Sequence, residues 1–136
     1  MTRYNLNLFV SAALLTSLLS VSANAEQLLQ SIQADYKQRL GDLFVDFHRN
    51  PELSTAEVRT ANKLAAELRG SGFEVSEGIG GTGIVALLEN GPGPLVMLRA
   101  DMDGLPLEEK SGLAYASKAK QLDPITGKVF PVMHAC

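Results

Sequence analysis

Two uninterrupted apolar runs, Ile84 to Leu88 and Leu95 to Leu98, constrain the fold of this chain more than any other feature. Runs this short are typical of β-strands covered on both faces, because a strand with one solvated face alternates apolar and polar residues. Phe73-Glu74-Val75 alternates in that way and predicts another short strand. The turn residues Asn90-Gly91-Pro92-Gly93-Pro94 predict a hairpin or other tight connection between the two runs.

Two amphipathic helices are predicted before these strands. Apolar residues recur at three- and four-residue steps from Gln27 to about His48, and Asn50-Pro51 ends that pattern. Ser54-Thr55-Ala56-Glu57 has the spacing of a capping box and predicts the start of a second helix, which Gly70 or Gly72 ends. Helices followed by strands predict an α/β fold with helices packed on a mainly buried sheet. The predicted buried residues are Leu28, Ile32, Tyr36, Leu40, Leu43, Phe44 and Phe47 in the first helix and Val58, Ala61, Leu64, Ala65 and Leu68 in the second, with Leu53 and Val58 as a hydrophobic staple.

Composition narrows the class of protein. With 136 residues, 46% of them hydrophobic and 20% charged, the chain has the composition of one modest soluble domain. A net charge of −3 supplies no basic patch, which argues against a nucleic-acid partner. No run reaches the roughly 18 apolar residues of a membrane-spanning helix. Residues 118–128 are polar and predict an exposed loop, with turns at Asp123-Pro124 and Thr126-Gly127.

The first 25 residues are predicted to be a signal peptide. Met1-Thr2-Arg3 is a small positive region, Leu8 to Val21 is apolar apart from Ser and Thr, and Ala23-Asn24-Ala25 is a small-x-small cleavage signature. A buried hydrophobic helix is the less favoured alternative. We therefore expect cleavage near Ala25, export to the periplasm or medium, no membrane insertion after cleavage, and a mature domain of residues 26–136.

Export makes the single cysteine informative. An internal disulfide needs a second cysteine, so Cys136 is a free thiol, an intermolecular partner or a metal ligand. His134 lies two residues earlier, and both residue types bind metals. His48 is predicted to pack or to cap a helix rather than to bind a metal.

Asp101 and Asp103 follow the apolar run that ends at Leu98. On an extended chain they project to the same face, at the strand end where open α/β sheets bind ligands. Two close carboxylates need a cation or hydrogen-bond donors, so the pair indicates either a metal-linked site or a solvated turn. Gly78-Ile79-Gly80-Gly81-Thr82-Gly83 matches the G-x-G-x-x-G pattern, but an apolar strand follows it instead of a helix. It therefore predicts an inter-strand turn and no dinucleotide site.

Four segments occur together in an order that is specific to one family. The mature chain resembles the N-terminal part of the metal-dependent amidohydrolases of the hippurate hydrolase type, which are related to aminoacylases and zinc carboxypeptidases. The resemblance implies an incomplete zinc-exopeptidase-like catalytic domain with helices on a mixed sheet. The segments are His48-Arg49-Asn50-Pro51-Glu52-Leu53-Ser54, the turn at Gly78 to Gly83, Leu98-Arg99-Ala100-Asp101-Met102-Asp103-Gly104-Leu105-Pro106 and Met133-His134-Ala135-Cys136.

The resemblance implies roles for three residues. Cys136 matches a cysteine that binds metal in the family, and Asp103 matches an aspartate that supports a metal ligand without touching the metal. Asp101 stands where the wider superfamily has a metal-binding histidine. The family's Gly-His-Asp continuation, its glutamate base, its later histidine ligands and most of its lid domain would lie beyond residue 136. A dimer, which commonly forms through that lid domain, is therefore expected only for a full-length protein.

The implied chemistry is hydrolysis of an amide bond in an N-acyl amino acid or a small peptide-like molecule, assisted by divalent metals. The resemblance implies two ions per complete site, with zinc, manganese, cobalt and nickel as candidates. Residues 1–136 alone are expected to be inactive. The alternatives are an exported binding domain that keeps the frame without catalysis, and a related metallopeptidase that cleaves dipeptides.

Overall fold

The computed structural model describes residues 25–135, and their helices and strands confirm the α/β class. The helical elements are α1 at residues 25–35, a π-helical turn at Tyr36–Leu40, α2 at Gly41–Arg49 and α3 at Val58–Gly70. The strands are β1 at Glu74–Ile79, β2 at Gly83–Leu87, β3 at Lys120–Leu122 and β4 at Val129–Pro131. No helix within residues 25–135 is long and apolar enough to cross a membrane.

The chain forms two compact units, Met1–Leu43 and Phe44–Cys136. The predicted signal peptide, apart from its last residue, lies outside the described residues of the first unit. The predicted helix from Gln27 is confirmed, with a π-helical turn in which the Gly41 N–H donates to the Tyr36 carbonyl. The predicted burial of Leu28, Ile32 and Tyr36 is wrong, because each is more than half exposed. The described part of this unit is entirely helical and offers these side chains no second layer.

In the second unit, one carboxylate joins the end of α2 to α3. Asp46 accepts two hydrogen bonds of 2.6 Å from Arg59 Nη2 and one of 2.6 Å from Lys63 Nζ. Arg59, followed by Lys63, lowers the pKa of Asp46 because both stabilise the ionised carboxylate. Ala61 and Ala65 of α3 are buried, as predicted, and the helix packs against β1 and β2.

The start of α3 differs from the predicted capping box. Glu52, which lies before the helix, accepts hydrogen bonds from the Arg59 N–H at 3.1 Å and the Thr60 N–H at 2.7 Å. These are two of the N–H groups that the first turn of a helix leaves without partners. Val58 is 60% exposed, so the predicted staple is also wrong. The Glu52 carboxylate comes from a residue outside the capping-box pattern, so the spacing of that pattern cannot predict its role.

The glycine-rich segment is an inter-strand turn, as predicted. Strands β1 and β2 pair antiparallel on either side of it, with an irregularity in register between Glu77 and Ile79. The Gly81 N–H donates to the Gly78 carbonyl at 3.3 Å, and both glycines have positive φ. A Cβ on Gly83 would lie 2.3 Å from the Ile79 carbonyl oxygen, so this close approach requires glycine.

The predicted strand at Leu95 to Leu98 is wrong. These residues have no strand geometry, and their exposed fractions are 84, 81, 84 and 96%. An apolar run becomes a buried strand only when neighbouring strands supply hydrogen bonds and a second layer covers its faces. Among residues 25–135 nothing supplies either, so the sheets that form are two-stranded hairpins.

The predicted loop at residues 118–128 contains the first strand and the turn of a second hairpin, and the other strand follows it. Strands β3 and β4 pair antiparallel, with Gln121 opposite Phe130. The predicted turn residues lie between the strands, where Asp123 accepts hydrogen bonds from the Ile125 N–H and from both the N–H and the hydroxyl of Thr126. These bonds lower the pKa of Asp123, the Thr126 hydroxyl contributing most. The turn was therefore predicted correctly and the strands were not.

Three segments that are distant in sequence meet around Gly104, and we call this the junction. The Gly104 N–H donates to the Glu52 carbonyl at 2.6 Å, and Leu105 and Met133 exchange two backbone hydrogen bonds of 2.8 and 3.1 Å. A Cβ on Gly104 would lie 2.8 Å from Val132 Cγ1 and 2.9 Å from Pro51 Cβ. The junction therefore packs segments 51–53, 103–105 and 132–134 against one another.

The source of the α3 cap can be tested by two substitutions. We expect Glu52→Ala to lower the free energy of unfolding by about 1–2 kcal/mol, because it removes a charged acceptor from the helix N-terminus. Ser54→Ala, which tests the capping box, should change it by less than about 0.5 kcal/mol. Urea denaturation followed by circular dichroism measures both. The opposite ranking of the two variants would contradict the structure.

Candidate functional site

The junction brings two of the candidate site residues together. The ring of His134 donates a hydrogen bond to the backbone of Asp103, and the Asp103 carboxylate also acts electrostatically on the ring. The two residues are 31 positions apart in sequence, in the third and last of the motif segments. An isolated antiparallel bridge between Leu105 and Met133 fixes this approach, because Leu105 lies two residues after Asp103 and Met133 lies one residue before His134.

His134 has a buried nitrogen without a partner. Its Nε2 makes no hydrogen bond among the described residues, so the bond to Asp103 uses Nδ1. Burial lowers the pKa of His134 below its ordinary value of 6.5, and the charge of His48 acts in the same direction. The ring is therefore neutral at pH 7, which is the form that can donate an electron pair to a metal ion.

His48, which acts electrostatically on the His134 ring, contacts a buried carboxylate that the sequence did not reveal. The Glu109 side chain is 1% exposed, and its two carboxylate oxygens lie 2.9 and 3.0 Å from His48 Nε2. It also accepts hydrogen bonds from the Ser111 hydroxyl and from the Ser117 N–H. The Ser111 bond, followed by the His48 and Ser117 bonds, lowers the pKa of Glu109 from 4.5 to about 2. Glu109 is therefore ionised at neutral pH.

Aromatic side chains surround His48. Its ring stacks on Phe44 with centroids 6.1 Å apart and meets the edge of Tyr115 at 5.3 Å. The predicted packing role of His48 is confirmed, and its ion-pair partner is a finding of the structure. No spacing rule could have identified that partner, because Glu109 lies 61 residues further along the chain in an irregular segment.

Asp101 does not pair with Asp103 as a strand would require. Its side chain is 61% exposed and accepts a 2.5 Å hydrogen bond from Arg99. Both aspartates line an open cavity of about 280 Å³, whose opposite side includes Glu57 and Thr82. Glu57 is buried and accepts a 2.6 Å hydrogen bond from the Thr82 hydroxyl. The two aspartates thus line the same cavity. The strand on which they were predicted to share a face does not form.

The described residues contain some of the groups that a metal centre would need. Cys136, the predicted ligand, lies outside them. His134 contributes a neutral ring with a free, buried nitrogen, which suits a divalent ion. Within residues 25–135, however, no three His, Cys, Asp or Glu side chains are grouped so that they could hold an ion. The described part therefore fits one edge of a metal centre, and further donors are needed to complete it.

Known proteins resemble this chain in both sequence and structure. Thermostable carboxypeptidase 2 of Saccharolobus solfataricus is 46% identical over 91 residues, and hippurate hydrolase of Campylobacter jejuni is 44% identical over 90. Each alignment covers 65% of this chain and 21% of the relative. The crystal structure of Bacillus subtilis YXEP, described as a dinuclear metal binding peptidase of the M20 family, matches with a TM-score of 0.60. That match has 32% identity and covers 76% of this chain and 26% of the other.

These matches show that the chain resembles a part of the M20-family proteins. The resemblance to hippurate hydrolases and carboxypeptidases is therefore confirmed, and so is its relation to an M20 catalytic domain. No protein-family model matches the chain. The chain spans about a fifth to a quarter of the length of the M20 proteins that it matches.

The lowered pKa of Glu109 predicts a pH-dependent contribution to stability. Because the pKa in the folded chain, about 2, lies below the ordinary 4.5, folding favours the ionised form. The contribution is complete above pH 4.5 and is lost as the pH falls through about 2. Glu109→Gln should therefore lower the free energy of unfolding at neutral pH, and its difference from wild type should shrink across that interval.

Denaturant unfolding at neutral pH and at steps down to about pH 2 measures this difference. Glu108→Gln is the matched control, because Glu108 is the adjacent carboxylate and its side chain is 71% exposed. A Glu109→Gln difference that stayed constant with pH would show that the carboxylate charge contributes nothing.

Proposed function

We propose that this chain is part of an M20-family enzyme that hydrolyses the amide bond of N-acyl amino acids or small peptide-like substrates with the aid of divalent metals. The supporting observation is the convergence of Asp103 and His134 at the junction, in a chain 44% identical to a hippurate hydrolase. Hippurate is an N-acyl amino acid, and the other relative is a carboxypeptidase. Amide hydrolysis next to a carboxylate is the chemistry common to both names.

In this proposal Cys136 holds a metal ion through its thiolate. His134 presents its free ring nitrogen to the same region, and its other nitrogen remains bonded to the Asp103 backbone. Asp103 supports a metal ligand, and Asp101 is a weaker candidate for the same role. When bound, a divalent ion supplies Lewis-acid polarisation of the amide carbonyl and a more acidic water. Zinc, cobalt and nickel suit a thiolate, and carboxylate ligands would also admit manganese.

We also propose that the protein is exported and that residues 1–25 are its signal peptide. The support is the sequence of Met1 to Ala25 alone, with its positive start, apolar centre and small-x-small ending. Metal binding by Cys136 would explain an unpaired cysteine in an exported protein, because a bound divalent ion stabilises a thiolate that an oxidising compartment would otherwise oxidise.

The coding sequence after the Cys136 codon tests the enzymatic proposal first. We expect it to encode Gly-His-Asp, in frame or after a frameshift, and a different established continuation would favour the binding-domain alternative. The protein that includes this continuation should hydrolyse N-benzoylglycine and lose that activity with a chelator. The 136-residue chain alone should not hydrolyse it.

Two substitutions in the continued protein test the residue roles. Cys136→Ser should reduce bound metal, measured by elemental analysis, and should reduce hydrolysis by at least about 100-fold. Asp103→Asn should reduce metal affinity or hydrolysis by about 10- to 100-fold. Unchanged metal content and turnover in Cys136→Ser would refute the ligand assignment. A dipeptide panel run in parallel decides between N-acyl amino acids and peptides.

Export predicts a mature protein that begins at Glu26. Expression of the chain in a Gram-negative host, followed by fractionation and N-terminal sequencing, measures the cleavage site. A periplasmic protein that begins at Glu26 is the expected result. An uncleaved chain in the cytoplasm would contradict the assignment, and an Ala25→Leu variant should block cleavage.

A further inference from the structure

A chain of hydrogen bonds runs from α2 to the segment that precedes Cys136. His48 at the end of α2 contacts the Glu109 carboxylate, and Glu109 accepts the Ser117 N–H at 2.5 Å. The Ser117 hydroxyl then donates to the Val132 carbonyl at 2.6 Å. We call these four residues, His48, Glu109, Ser117 and Val132, the relay.

The relay is largely buried. The side chains of Glu109 and His48 are 1% and 14% exposed, and Ser117 and Val132 are both buried residues. A buried charge without partners is strongly unfavourable, so the donors around Glu109 hold its carboxylate in one position. The Ser117 backbone is fixed by that carboxylate, and its side chain fixes the Val132 carbonyl in turn.

Neighbouring bonds make the position of Val132 more specific. The Val132 N–H donates to the Ala119 carbonyl at 3.1 Å, and the Ala119 N–H donates to the Ser117 hydroxyl at 3.2 Å. Met133, the next residue, is paired with Leu105. Both backbone polar groups of Val132 are thus held, two residues before His134.

We propose that Glu109 is a positioning residue for the metal centre, which sets the segment 132–134, two residues before Cys136, through the relay. The inference rests on the proposed function, because it assumes that Cys136 binds the metal. Glu109 does not contact the ion in this proposal. It acts through Ser117 and Val132, and hydrogen bonds with Ser111 and His48 hold its carboxylate in place.

The test uses Cys136, the single cysteine of the 136-residue sequence, as the reporter. Titration with Co²⁺ of the protein that includes the continuation gives a thiolate-to-metal charge-transfer absorption if Cys136 is a ligand. A second assay measures the rate of alkylation of the thiol in the 136-residue chain without metal. Glu109→Gln should weaken the cobalt affinity by about 10- to 100-fold and increase the alkylation rate several-fold. Glu108→Gln, the exposed neighbour, should change neither.

Ser117→Ala is a second variant, which removes the bonds of the Ser117 hydroxyl to Val132 and Ala119 while its N–H still reaches Glu109. It should reproduce both effects while its circular dichroism matches that of wild type, which keeps the test valid if Glu109→Gln fails to fold. Alkylation rates equal to wild type in folded variants would overturn the positioning role. A missing cobalt band in wild type would instead overturn Cys136 as a ligand, and the alkylation rates would still decide the role of Glu109.

Discussion

The backbone hydrogen bonds around Gly104 connect the segments on which the candidate site depends. Glu52, Gly104 and Met133 belong to three motif segments, and without these bonds the segments would be independent loops. Each bond pairs a backbone N–H with a carbonyl oxygen, and both groups need a hydrogen-bond partner once they leave water. The pairing is therefore specific in register. The absence of a side chain on Gly104 lets Pro51 and Val132 approach from both sides. The contact between Asp103 and His134 follows from that register.

Around the junction the second unit is stabilised more by polar groups than by a large apolar core. Among the described residues, Leu53, Ala61, Ala65 and Val132 are the buried hydrophobic side chains, and two of these are alanines. Carboxylates make many of the other contacts that stabilise this unit. Asp46 links α2 to α3, Glu52 caps α3, and Glu109 joins α2 to the hairpin of β3 and β4 through Ser117. Each has two or more donors, which is the condition under which a buried or partly buried charge is tolerated.

Sequence patterns predicted the local structure well and the long-range contacts poorly. The period of the helices and the glycine turn between β1 and β2 depend on residues close in sequence, and both were predicted correctly. The roles of Glu52 and Glu109 depend on partners that folding brings close, and Glu109 has no local pattern to indicate its partner. The strand predicted at Leu95 to Leu98 does not form for a related reason. Apolar composition predicts a preference for burial, but it does not predict whether neighbouring strands are present. The family resemblance identified the Asp103 and Cys136 segments, although it gave no indication of the relay.

Hydrogen exchange at the junction tests this account most directly. The amides of Gly104, Leu105 and Met133 donate the bonds that join the three segments, so nuclear magnetic resonance should show them strongly protected in the folded chain. The exposed amides of residues 95–98 provide an internal reference for unprotected exchange. The account predicts that the three junction amides exchange much more slowly than this reference and with similar rates. Junction amides that exchanged as fast as residues 95–98 would contradict it.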